Sequence, residues 1–114
     1  MLAFRVHLAL VFGVLAVYTA VVVDAHGLGL LPVFFGDIAK MEWPGQFDLD
    51  FTGFLSLSAL WLAWRHRFTP GGFALGALGF FGGSLFLSAY LLWASLAARG
   101  DVAVLLLGDE RARR

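Results

Sequence analysis

Residues 68–98 read FTPGGFALGALGFFGGSLFLSAYLLWASLAA, 31 positions without an Asp, Glu, Lys or Arg. A helix of roughly 20 apolar residues crosses the ~30 Å hydrocarbon core of a bilayer, so this stretch alone argues for a membrane-embedded chain. Two more uncharged runs, residues 6–23 and 51–64, precede it. Hydrophobic residues make up 61% of the 114 positions and charged residues 14%, against about 25% charged in an average soluble domain. Too little polar cover remains for a soluble surface. The sequence therefore predicts an all-α integral membrane bundle of three transmembrane helices. The spans fall at about 4–23, 48–65 and 73–98, with a short interfacial amphipathic helix at about 32–41 and a tail at 99–114. A single membrane domain covers 1–114. A signal peptide is the other reading of the N-terminus, with Arg5 as basic flank and Val23-Asp24-Ala25 as cleavage site. The apolar run is longer than a usual signal core, which favours an uncleaved helix.

The connection at 24–50 holds Asp24, Asp37, Glu42, Asp48 and Asp50 against Lys40, five acids minus one base, a net of minus four. Within it Leu31, Phe34, Phe35, Ile38 and Met41 recur at helical spacing and leave Asp37 and Lys40 on another side, the pattern of a helix lying in the interface. Trp43-Pro44-Gly45-Gln46 reads as a turn. The second span has only 14 uncharged residues, a length that also fits a re-entrant segment. Asp48 as cap and Asp50 in the first turn extend it at one end. Arg65 by snorkelling and Trp61 and Trp64 at the headgroup level extend it at the other, and Trp93 marks the far interface of the third span. Lys/Arg bias in short loops places the N-terminus and loop 65–72 inside a bacterial inner membrane and loop 24–50 outside. Three crossings then leave the tail outside, although it carries Arg99, Arg111, Arg113 and Arg114.

Small residues step by four, three and four along each span: Ala9, Gly13, Ala16 and Ala20; Thr52, Ser56, Ala59 and Ala63; Gly72, Gly76, Gly79 and Gly83. Close backbone approach drives helix association in lipid, so these are the expected helix-packing seams; a stripe in a chain rich in Ala and Gly also arises by chance. Ser84 and Ser88 lie, with Ala77 and Ser95, on a second small face of the third span. With Phe34, Phe35 and Ile38 they form the expected partner-binding surface, although a serine in a helix often bonds only its own backbone.

Asp50 is the deepest ionisable group. With Leu57 at the midplane it lies about 10 Å out, some 5 Å inside a half-core of about 15 Å. A carboxylate at that depth is a candidate ion-binding group together with Asp48; the plainer reading is a first-turn charge held by the helix dipole. His7, His26 and His66 lie near span ends, which argues against axial ligation of a haem in the bilayer centre. His66 between two arginines reads as a solvated interfacial residue. His26 and Asp24 make two metal ligands, too few for a site. Without cysteine there are no disulfides, thiolate metal sites or cysteine nucleophiles. Zero formal net charge gives no reason to expect nucleic acid. No nucleophile–base pair, phosphate loop or metal-binding helix motif occurs, so no catalytic residue, metal or cofactor is expected.

Several features occur together: Pro32-Val33-Phe34-Phe35-Gly36-Asp37, Asp48-Leu49-Asp50 opening a serine-containing helix, Trp64-Arg65 closing it, and Tyr90-Leu91-Leu92 in a third helix ending at Arg99. This layout resembles small bacterial three-span inner-membrane proteins of an uncharacterised family, a domain of unknown function, across nearly the whole span region. The resemblance implies a fold and no chemistry. The expected function is non-enzymatic: an accessory, assembly or stabilising subunit of a larger inner-membrane complex, in contact with lipids and with other membrane subunits or copies of itself. The alternative is a small homo-oligomeric transporter or channel with Asp50 as its ionisable site.

Overall fold

The computed structural model describes residues 1–113, and these are all-helical, as the sequence predicts. The elements are α1 (Leu2–His26), α2 (Leu30–Ala39), α3 (Trp43–Arg65), α4 (Pro70–Ala97), α5 (Val102–Leu107) and α6 (Asp109–Ala112). α1 overruns the expected span at both ends, and α2 starts two residues before the expected interfacial helix. α3 starts at Trp43 because Pro44 fits the first helical turn, where a missing N–H costs nothing. The segment expected as a turn is therefore helix, and Asp48 lies in the second turn and is not the cap. Two helices are long and apolar enough to cross a membrane by length and composition, α1 and α4. α3 has 23 residues, about 34 Å of helix, with Asp48 and Asp50 in its N-terminal third.

The third predicted span is helical along its length but not straight. Gly83 has φ 57 and ψ −143, a region that glycine alone occupies without strain. Up to that point α4 runs antiparallel to α3: a Cβ on Gly72 would lie 3.2 Å from the Ala63 carbonyl oxygen, one on Gly76 3.0 Å from that of Ala59, and one on Gly83 3.1 Å from Phe51 Cζ. A continuing helix would carry Tyr90 about 10 Å further toward the start of α3. Instead the Tyr90 hydroxyl lies 2.5 Å from His66 Nε2, and its ring sits 6.0 Å from that of Trp61. α4 is thus a hairpin. Its limbs, residues 70–82 and 84–97, are each about 20 Å long, short of the ~30 Å core.

α4 lies between α1 and α3. The second limb runs antiparallel to α1, with Arg5 donating to the Ser95 hydroxyl at 3.1 Å and Met1 against Gly100. Fully buried Leu62 centres a core with Tyr90, Ala94, Ala98 and Leu105. α2 folds back on the start of α3, where Gly45 is buried against the Asp37 carbonyl and Ile38. The reversal brings the start of α1, the α3–α4 connection, the end of α4 and the tail together at one end. The end of α1, α2 and the start of α3 occupy the other.

Candidate functional site

The arginine-rich end is organised around Arg65, the last residue of α3. Its Nε donates to the Leu105 carbonyl at 2.7 Å, Nη2 to the Val104 carbonyl at 3.3 Å and Nη1 to the Tyr90 hydroxyl at 2.9 Å. Those two carbonyls belong to α5, the apolar hexamer of the tail, whose N-terminus is capped by the Asp101 carboxylate. Trp61 Nε1 donates to the Leu106 carbonyl at 3.1 Å. One turn of α3 therefore ties down the tail through three consecutive backbone carbonyls. Beyond it, the Arg111 guanidinium lies 4.1 Å over the Trp64 ring and donates to the Trp64 carbonyl, while Arg67 pairs with Glu110.

His66 is not the freely solvated residue expected from its neighbours: it is half-buried against Tyr90, with the rings 5.9 Å apart. Burial, and then the adjacent Arg65 charge, hold its pKa below the ordinary 6.5. A cleft of about 410 Å³ opens between this connection, the second limb and the tail, with Arg65, Arg67 and Arg111 on its basic walls and Trp93 and Ala97 on its apolar one. Trp93 is thus at the same end as Arg65, not at a far interface, because the hairpin returns it.

The predicted seams are only partly brought together. Gly72, Gly76 and Gly79 are buried and meet Ala63, Ala59 and Leu62. Thr52 is half-buried and Ser56 exposed, and their hydroxyls bond Asp48 and Gly53 carbonyls of their own helix. Gly83 is the turn residue of the hairpin. On α1, Ala9 and Ala20 are exposed, Gly13 and Ala16 are partly covered, and a Cβ on Gly13 would meet nothing within 4 Å. The face that α1 packs on α4 carries larger groups, with Leu8 buried and Phe4 against the core.

Of the expected partner surface, Phe35 and Ser84 are exposed and Phe34 and Ile38 half-covered. Ser88 is a correction: it is 3% exposed and bonds the Leu85 carbonyl, because it faces inward once the chain reverses. Asp50 is exposed and Asp48 half-buried near the start of α3, and among the described residues no three potential ligands gather around them. Sequence reasoning missed the contacts of Ser95 with Arg5 and of Tyr90 with His66, and the Arg65 ties to the tail. The available signals were the Gly82-Gly83 doublet, a local breaker inside an apolar run, and a basic tail on the wrong side of a three-span topology. No protein-family model, curated protein or solved structure matches the chain.

Proposed function

We propose that this is a non-enzymatic membrane protein that crosses twice, through α1 and α3, and serves as an accessory or assembly subunit of a larger bacterial inner-membrane complex. α4 enters from the arginine-rich side and returns to it. Charge sorting supports this topology. Arg5, Arg65, Arg67, Arg99, Arg111 and Arg113 gather at one end, where Asp101, Asp109 and Glu110 offset part of their charge, and Asp24, Asp37, Glu42, Asp48 and Asp50 lie toward the other with Lys40. The positive-inside rule makes the arginine end cytoplasmic, and the tail no longer conflicts with it.

One observation carries the subunit reading: the outer half of α1 is left largely uncovered. Residues 17–26 are all exposed, with Val17 at 67%, Tyr18 at 70% and Val21 at 62%. Matching Arg5 to Ser95 along the antiparallel pair ends the hairpin's contact with α1 near Ala16. Above that level the hairpin no longer separates α1 from α3, and an apolar groove of about 930 Å³ lined by Tyr18, Val22, Leu30 and Val33 runs up to α2. A transmembrane helix of a partner fits beside this half-helix at the level of the hairpin tip. Purification in mild detergent at native expression, followed by native mass spectrometry, tests the reading. It predicts a heterologous subunit at fixed ratio, lost in Val21→Lys. A homo-oligomer or lone monomer contradicts it.

A further inference from the structure

We infer that the cleft at the arginine-rich end binds the headgroup phosphate of an anionic phospholipid, with the acyl chains along Trp93 and Ala97. The inference rests on the membrane reading above and deepens it.

Arg65 is half-buried, and among the described residues its hydrogen-bond partners are neutral: two carbonyls, the Tyr90 hydroxyl and, at 3.4 Å, His66 Nε2. A part-buried guanidinium whose hydrogen-bond partners are all neutral leaves its charge unpaired, and a counter-ion within a few ångströms stabilises it. Of its five N–H groups, one on Nη2 remains unspent. Arg111 is in a similar position: it stacks on Trp64 and gives Nη1 to a carbonyl, which leaves Nη2 unspent. Both line the cleft, as do Asp109 and Glu110. Glu110 is taken by Arg67, so the walls carry Arg65, Arg67 and Arg111 against two carboxylates, net plus one, before His66 is protonated. Guanidinium groups are the side chains best suited to phosphate oxygens. The volume of about 410 Å³ lies in the range of small-ligand sites. The exposed Trp93 ring on the apolar wall is the residue type that settles at the headgroup boundary. A membrane-bound anion satisfies the basic and the apolar wall together, which a free phosphate does not.

The test uses the full chain in nanodiscs of phosphatidylcholine with a tenth phosphatidylglycerol, and native mass spectrometry of the lipid retained on release. Insertion is checked first by flotation; a chain that does not float refutes the membrane reading. For an inserted chain, the inference predicts one phosphatidylglycerol retained in preference to phosphatidylcholine. Arg111→Gln lowers that preference about fivefold, the effect of one basic group at an anionic surface, and Glu110→Gln does not lower it. Arg99→Gln, at the same end but off the cleft walls, leaves it unchanged. Absence of preference, equal losses in Arg99→Gln and Arg111→Gln, or displacement of the lipid by 10 mM inorganic phosphate would each overturn it. The circular-dichroism melt of Arg111→Gln verifies its fold; if that variant unfolds, Arg67→Gln is added to Glu110→Gln, which takes the walls from net plus two to net plus one without stranding a partner, and a preference no lower than that of Glu110→Gln alone overturns the inference.

Discussion

Replacing Gly83 with alanine discriminates between a hairpin and a continuous third helix by the sign of its effect. In a straight α4 the position would be an ordinary helix interior, where alanine is more favourable than glycine by about 1 kcal/mol, so the variant would be more stable. In the hairpin, Gly83 holds φ 57 and ψ −143. Forcing a Cβ into such a region costs of order 1–3 kcal/mol. The new methyl would also lie 3.1 Å from Phe51 Cζ and 3.6 Å from Leu55 Cδ2, closer than comfortable packing for the first of these. Both side chains are long and give by a few tenths of an ångström, so backbone conformation dominates and the expected loss is about 2 kcal/mol. Gly13→Ala is the matched control. It lies inside α1 with nothing within 4 Å of an added Cβ, so it gains the helix-propensity term alone. Reversible unfolding in mixed detergent micelles, followed by far-ultraviolet circular dichroism, measures both. Gly83→Ala destabilised while Gly13→Ala is neutral or stabilised is the expected result. Equal stabilisation of both refutes the reversal.

Three further outcomes follow from the packing. Gly76→Ala places its methyl 3.0 Å from the Ala59 carbonyl oxygen, a backbone atom that cannot rotate away, so unfolding in the same micelles should show a loss of about 1–3 kcal/mol; an unchanged midpoint would mean α3 and the first limb are not in close contact. Arg65→Gln removes the donors to Val104, Leu105 and Tyr90 and should accelerate amide exchange in α5 while leaving α3 protected; parallel acceleration of both would show global loosening. The lowered pKa of His66 means the unfolded chain holds more protons on it near and below pH 6.5. Its contribution to stability is present above that pH and is lost as the pH falls through the lowered value. Melting midpoints at pH 7.5 and 5.0 should therefore differ more in the parent than in His66→Gln, and equal differences would remove His66 from the account.

Helicity and the apolar character of the long helices were legible because both depend on composition and period. The 31-residue uncharged run made residues 68–98 helical and apolar whether they form one span or two limbs. What periodicity does not carry is direction. The small-residue step through Gly72, Gly76 and Gly79 is the same in a straight helix and in the first limb, and only the backbone angles at Gly83 separate them. Once the chain reverses, Ser88 turns inward, Trp93 changes ends and Tyr90 reaches His66, which is why the placements of Ser88 and Trp93 failed together. Arg65 looked like a snorkelling terminus because its partners, the α5 carbonyls, carry no sequence signal at all. The glycine seam was legible because its signal, small residues opposite Ala59 and Ala63, is local. The stripe on α1 was composition without a neighbour.

The chain contains no cysteine, so single cysteines report topology directly. Lys40→Cys, Arg67→Cys and Arg113→Cys, labelled in sealed inverted and right-side-out vesicles with a membrane-impermeant maleimide, test the claim that α4 enters and returns. The account predicts that positions 67 and 113 label from one side and position 40 from the other. Position 113 labelling together with position 40, opposite to 67, would mean that α4 crosses, and would contradict it.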